Sequence, residues 1–259
     1  RVVPIAVAQQ TYTARVIVLR KTKLGETDLI LSLLAQNGSQ LRAVAKGARR
    51  PSSQFASRLE LGAEADVLFA RGRSLDIVKE VRLCAGNGAL RQSIERTAAA
   101  TPMLELLDRI TQADLENPKL FACTSAALCA LDGADALHAP AISAAHLLKT
   151  FAFAGVRPTL DSCCLCGQSI DAQQADAQVR GIAFSYAEGG VECQACVTPD
   201  AVRINAATIS WARALLGMRF SDIAHADIDQ SSVFGVLRLC QAWAHMHAST
   251  NLKSLVFLF

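Results

Sequence analysis

DLILSLLAQNGSQLRAVAK, residues 28–46, holds two short apolar runs, Asp28–Ala35 and Gln40–Lys46, on either side of the turn signal Asn37-Gly38-Ser39. That pattern reads as two strands joined by a tight connection. Within the second run Leu41, Ala43 and Ala45 alternate with Arg42, Val44 and Lys46, which puts the two cations on one face of a strand. Upstream, Thr13–Arg20 is a third run, separated from Asp28 by the turn Leu24-Gly25-Glu26-Thr27. Downstream, after a polar loop at 47–57, Ala63–Ala70 and Ser74–Leu83 flank the turn Arg71-Gly72-Arg73. Five short strands in about 70 residues fit a small Greek-key barrel of the OB type.

After Asn87-Gly88 the chain becomes Ala/Leu-rich, with apolar residues spaced by three and four, the period of a helix. Thr101-Pro102 reads as a helix start running to Ile110, and Asn117-Pro118 as a second running to Leu131. Further helices are expected at Ser143–Phe153, Ala206–Met218 and Ser231–His247. The expected architecture is α+β and multidomain. A five-stranded OB-type barrel over residues 1–85 precedes an all-α helical domain over 86–259, into which a cysteine module is inserted at about 158–199.

That module carries the sharpest motif. Cys163-Cys164-Leu165-Cys166-Gly167 is followed by Cys193-Gln194-Ala195-Cys196, two C-x-x-C knuckles about 27 residues apart. Cys163, Cys166, Cys193 and Cys196 can supply four thiolates to one tetrahedral Zn2+, with each Zn–S bond near ~2.3 Å. Cys164 is surplus, because the one-residue spacing to Cys166 chelates poorly. Four buried reduced cysteines or a redox pair are the alternatives; the doubled motif favours zinc. Four sulfurs leave no open coordination position, so such a metal is structural. Nine cysteines, four of them in knuckles, point to a reducing compartment rather than a disulfide framework.

The net charge of +3 is unevenly divided. Residues 1–85 hold 14 Lys+Arg against 7 Asp+Glu, whereas residues 86–259 hold 12 against 16. Between Leu29 and Leu59 stand Arg42, Lys46, Arg49, Arg50 and Arg58 with no acidic residue, and Arg20, Lys21, Lys23, Arg71 and Arg73 add to the same domain. Such clustering suits a polyphosphate, since each neutralised phosphate releases counterions; the alternative is a solvated charged face. Only Tyr12, Phe55 and Phe69 are aromatic in this domain, so binding is expected to rest on phosphates rather than base stacking.

His138, His146, His225, His245 and His247 lack companions at ligand spacing and read as surface or packing residues, and Trp211 and Trp243 as core. No Walker loop, G-x-S-x-G, H-E-x-x-H or catalytic carboxylate pair is present, so nothing argues for an enzyme. No apolar run reaches the roughly 18 residues of a membrane span, and Val2–Ala8 is too short for a signal peptide. A soluble, cytoplasmic protein is expected.

In order and spacing the chain resembles the bacterial recombination mediator family RecO over nearly its whole length. The resemblance is carried by Val16-Ile17-Val18-Leu19-Arg20, Leu24-Gly25-Glu26-Thr27-Asp28 and Ala43-Val44-Ala45-Lys46-Gly47-Ala48-Arg49-Arg50. It continues through Phe55, Arg58-Leu59-Glu60, Leu75-Asp76-Ile77-Val78, Gly155-Val156-Arg157-Pro158-Thr159-Leu160 with Cys163-x-x-Cys166-Gly167, and Leu252-Lys253-Ser254-Leu255. It implies an OB fold that binds single- and double-stranded DNA, a helical domain and, in many members, a zinc module. It also implies annealing of complementary strands. Partners would be RecR, RecA, and single-stranded-DNA-binding protein, whose acidic tail docks on the helical domain of some members. Carried onto this sequence, the metal positions are Cys163, Cys166, Cys193 and Cys196. The DNA positions centre on Lys46, Arg49 and Arg50, with Arg20, Arg42 and Arg58 beside them. A protein-interaction scaffold and a zinc-dependent nucleic-acid enzyme are the other classes; the enzyme would need an open metal position.

Overall fold

The structure, a computed structural model, describes residues 10–170 and 181–259. Val2–Ala8 lies outside them. The described residues form two compact units, one within 10–86 with 111–121, the other within 87–110 with 122–170 and 181–259.

In the first unit β1 (Thr11–Leu24), β2 (Asp28–Ala35), β3 (Gln40–Ala45), β4 (Glu64–Ala70) and β5 (Asp76–Ala85) close into a barrel in the order β1-β2-β3-β5-β4. Every pairing is antiparallel except β3 with β5. Alternation decides what fills it: Val16, Val18, Leu31, Leu33, Ala43, Ala45, Val67, Phe69, Val78 and Val81 point inward. Ala48 and Leu59, from the connection between β3 and β4, join that core.

The first strand is longer than its apolar run. It continues four residues past Arg20 to Leu24, and its register with β2 shifts between Val18 and Arg20. This bulge reverses the alternation: Arg20 pairs with Ser32 on the outer face, while Lys21 pairs with the core residue Leu31. At the β2–β3 turn, Gly38 has φ +85° and a Cβ there would lie 1.9 Å from the Asn117 carbonyl oxygen, so only glycine fits. The 111–121 segment is tied to the same turn by Asn37 donating to Glu116 at 2.8 Å and by the Gln40 amide donating to the Gln112 carbonyl at 2.9 Å.

The second unit is built of α1 (Gly88–Gln92), α2 (Ile94–Ile110), α3 (Pro118–Gly133), α4 (Ala139–Phe153), α5 (Ala206–Gly217), α6 (Phe220–Ile223) and α7 (Gln230–Ala248). A sheet of β6 (Ile182–Ser185), β7 (Gly190–Glu192) and β8 (Val202–Ile204), ordered β7-β6-β8, completes it. Helix α4 is apolar nearly all round and packs on α2, α5 and α7, as a central helix must.

Two helix starts differ from the sequence reading. Helix α2 begins at Ile94, so Thr101-Pro102 lies inside it. Its cap is Ser93, whose hydroxyl accepts from the Arg96 amide at 3.2 Å. Pro102 costs the helix one amide hydrogen bond, and the Thr101 hydroxyl turns back onto the Thr97 carbonyl at 2.7 Å. Helix α4 starts at Ala139, four residues before Ser143, with Pro140 in its first turn. The small sheet was not expected either; strands of three and four residues carry too little periodicity to read.

Candidate nucleic-acid interface and metal centre

The barrel sorts its cations into two groups. On the outer face of β1, β4 and β5, Arg15 pairs across to Asp66, and Asp66 to Arg82. Both arginines reach that carboxylate, Arg15 at 2.8 Å and Arg82 at 2.5 Å, and they hold it well below the ordinary Asp range through hydrogen bonds from Arg15 and then Arg82. Arg82 is bound in this way although its side chain is 79% exposed. The charges of Arg15 and Arg82 are thus balanced inside the protein.

On the outer face of β1, β2 and β3 the strand carboxylate is Asp28, which accepts from the Gly47 amide and the Thr27 hydroxyl rather than from a cation. Arg20, Ser32 and Arg42 stand in one cross-strand row, with both arginines exposed. Between them the Ser32 hydroxyl is buried and unpartnered. Lys46 follows Arg42 with the same parity, exposed, and Arg50 is exposed in the adjoining loop. Among the described residues, no hydrogen bond or ion pair within the chain engages the side chains of Lys23, Arg42, Lys46, Arg50 or Arg73.

Other predicted cations are committed inside the protein. Lys21 pairs with Glu60 at 2.6 Å, and Arg58 donates to the Val81 carbonyl at 3.0 Å. Arg49 donates from one guanidinium nitrogen to the Gly25 and Glu26 carbonyls at 3.1 and 2.8 Å. In the β4–β5 turn Arg71 lies over the Tyr12 ring at 4.7 Å. The Tyr12 hydroxyl donates to Asp76, which also accepts from the Gly72 amide at 3.0 Å. Burial, and then that carboxylate, push the Tyr12 phenol above its ordinary range. Tyr12 stacks on buried Phe69, and Phe55 packs against the core, so the three aromatics of the domain support the barrel.

The four knuckle cysteines converge. The Sγ atoms of Cys163, Cys166, Cys193 and Cys196 all lie within 4.8 Å of one another, and Cys166 and Cys193 are 3.7 Å apart. A tetrahedron with Zn–S bonds of ~2.3 Å has sulfur–sulfur edges of about 3.8 Å, so the cluster fits such an ion. Each knuckle closes on its own amides: Gly167 donates to the Cys163 carbonyl at 2.9 Å, with Gly167 at φ +77°, and Cys196 to the Cys193 carbonyl at 3.1 Å. Cys164 stands outside the cluster, its amide strapped to the Val191 carbonyl at 2.9 Å. Burial raises the Cys163 thiol, but amide hydrogen bonds from Cys193, Cys166 and Leu165 outweigh it and bring the group to about 6. Hydrogen bonds that the Cys196 thiol donates toward Cys193 and Cys166 hold its proton and push it up to about 12.

The module is locked onto the helices. Arg213 of α5 donates to the Leu160 carbonyl at 2.7 Å and to the Ile170 carbonyl at 3.0 Å. Trp243 of α7 donates to the Val156 carbonyl at 2.8 Å while its ring packs edge-on to Phe184. Trp243 is core as read, whereas Trp211 is only half-buried.

Comparison with known proteins matches both the N-terminal and the C-terminal part of the chain to one family. Residues 9–87 match the family model for the recombination protein O N terminus, and residues 91–255 the model for its C terminus. The chain belongs to the recombination protein O family. Among its relatives, the DNA repair protein RecO of Bifidobacterium longum is 34% identical over 242 residues, covering 92% of this chain and 95% of that one. That of Nocardioides is 31% identical over 253 residues, covering 95% and 98%. That of Cutibacterium acnes is 33% identical over 254 residues, covering 96% and 98%. As a family member the chain is a DNA repair protein with a closed five-stranded barrel, a helical domain, and a four-cysteine cluster that can hold a metal ion. Among the described residues no helix is long and apolar enough to cross a membrane.

Sequence reasoning passed over Asp28, Asp66 and Asp76. Each is a carboxylate that decides where neighbouring cations or loops sit, and its partners stand 19, 51 and 64 residues away. Spacing in the sequence holds no trace of those pairings.

Proposed function

We propose that this chain is a non-enzymatic DNA-binding mediator of recombinational repair that holds single- and double-stranded DNA and anneals complementary strands. The observation that carries this reading is the sorting of charge on the barrel. Arg15 and Arg82 on the β1–β4–β5 side are spent on Asp66, whereas Arg42, Lys46 and Arg50 make no hydrogen bond or ion pair within the described residues and stand with Arg20 on the other side. In OB folds the face of strands 2 and 3, with loops 1–2 and 4–5, takes oligonucleotides. Here those elements carry Arg42, the Gly25–Thr27 tip with Lys46 to Arg50 beside it, and Arg71 and Arg73. Two strands laid on one cationic surface lose much of their mutual repulsion, which is the physical step in annealing. The lack of exposed stacking rings among the described residues of the barrel supports phosphate neutralisation and low sequence preference.

Zn2+ is the ion whose preferred donors and edge lengths fit the cysteine cluster, and Cys163, Cys166, Cys193 and Cys196 would hold it. Such an ion cross-links the two knuckles and supplies no open position for catalysis. Family membership supports the remaining partners, RecR, single-stranded-DNA-binding protein and, through them, RecA, and a cytoplasmic, nucleoid-associated location.

The test is strand annealing and RecA loading on DNA precoated with single-stranded-DNA-binding protein, with and without RecR. The expected result is binding of bare DNA that weakens steeply with salt, annealing by the chain alone, and RecA loading only when RecR is present. A protein that binds no DNA at low salt overturns the reading in favour of an interaction scaffold.

A further inference from the structure

The loop that carries Lys46 and Arg50 follows β3, and it is fastened to the β1–β2 turn by four hydrogen bonds. The Gly47 amide donates to the Asp28 carboxylate at 2.8 Å, and the Arg49 amide donates to the Thr27 carbonyl at 2.9 Å. The Arg49 guanidinium supplies the other two, to Gly25 and Glu26. The Asp28 carboxylate takes a further bond from the Thr27 hydroxyl at 2.9 Å. Amide and hydroxyl donors from Gly47 and then Thr27 hold it below the ordinary Asp range, with Lys46 and Arg50 adding to the effect.

An acidic side chain inside the densest cation cluster of the protein works against DNA binding by charge alone. Likewise, a guanidinium whose donors face two backbone carbonyls has fewer left for phosphate. Both residues make sense as fasteners. We propose that Asp28 and Arg49 form a clasp that holds the 46–50 loop on the β1–β2 turn, so that both act as positioning residues for the phosphate contacts of Lys46 and Arg50. The inference rests on the DNA-binding reading above. The clasp keeps two loop cations in one arrangement before DNA arrives, which removes an ordering cost from binding.

Substitution of Asp28 separates this from plain electrostatics by the sign of the effect. Removing a negative charge beside Lys46 and Arg50 tightens DNA binding if only net charge matters. If the clasp positions the loop, Asp28→Ala weakens it instead. The experiment measures the affinity of the full chain for a short single-stranded oligonucleotide across a salt series, for Asp28→Ala, Arg49→Ala and Arg50→Ala. Expected is a loss of roughly 10-fold for Asp28→Ala, the scale of one or two lost charge-assisted hydrogen bonds. Arg49→Ala is expected to lose a similar factor with its salt slope unchanged. Arg50→Ala should instead lower the slope by about 0.7 to 0.9, the signature of one lost phosphate contact.

Hydrogen exchange at the Gly47 amide provides a second readout, which should quicken in Asp28→Ala while the barrel strands stay protected. Tighter binding by Asp28→Ala, or a slope drop in Arg49→Ala equal to that of Arg50→Ala, overturns the clasp. If Arg50→Ala also leaves affinity and slope unchanged, the failure lies with the DNA-binding surface itself.

Discussion

Replacing Arg42 with alanine is expected to remove one phosphate contact, whereas replacing Arg82 removes none, although both arginines are exposed and both stand on barrel strands. The difference lies in what each already holds. Arg82 meets Asp66 at 2.5 Å, so its charge is balanced inside the protein, and Asp66 keeps Arg15 when Arg82 is gone. Arg42 has no internal partner, and across the sheet it faces Ser32 and then Arg20.

Each phosphate contact adds about 0.7 to 0.9 to the slope of log affinity against log salt. Raising salt fourfold therefore costs the wild-type chain roughly threefold more affinity than Arg42→Ala. Arg82→Ala should follow the wild-type line. Fluorescence anisotropy of a labelled oligonucleotide across a salt series reads both slopes. Equal drops for the two variants, or a larger drop for Arg82→Ala, would refute the claim that internal pairing decides which cations meet DNA.

The cysteine cluster should retain about one zinc per chain by metal analysis. Cys193→Ser is expected to lose the metal and lower the melting temperature far more than it changes DNA affinity of the folded protein, while Cys164→Ser keeps the metal. Metal loss in Cys164→Ser would show the ligand set to be wrong. His146 is fully buried in α4, beside the Thr124 hydroxyl at 2.9 Å, and burial draws it down from 6.5 to about 3. Its folded value lies below its unfolded value, so the stability it contributes is fully present above about pH 6.5. As pH falls from there toward 3, that stability is lost at about 1.4 kcal/mol per unit. Chemical denaturation between about pH 6 and 4.5 should show a flatter decline for His146→Gln than for the native chain, and parallel declines would contradict the assignment.

Much of the fold was legible because its signals are local. Alternation in Gln40–Lys46 and the apolar run Asp28–Ala35 need only neighbouring residues to be read, and both emerge as barrel strands. The bulge after Val18 did not show, because the chain there runs on as apolar residues followed by cations and nothing local marks a change of register. Thr101-Pro102 imitated a helix start for the same kind of reason. The pair has the right chemistry, but tertiary packing of Ala99, Ala100, Met103 and Leu104 keeps the helix continuous through it. The cysteine cluster was readable down to Cys163 rather than Cys164 joining it, since a C-x-x-C knuckle is a single turn of chain.

By itself, then, the sequence determined that a basic barrel precedes a helical domain carrying four convergent sulfurs, because strand period, helix period and knuckle spacing are properties of a few adjacent residues. It also determined that the N-terminal domain carries the positive excess. Only the tertiary structure decided which of those charges remain available. The sequence centred the DNA positions on Lys46, Arg49 and Arg50 alike, yet Arg49, with Lys21 and Arg58, holds parts of the barrel together, while Arg42, Lys46 and Arg50 do not. The physical reason is that a charge is neutralised by what lies within a few ångströms of it. Closing a barrel brings Lys21 to Glu60 and Arg15 to Asp66 across 39 and 51 residues of chain.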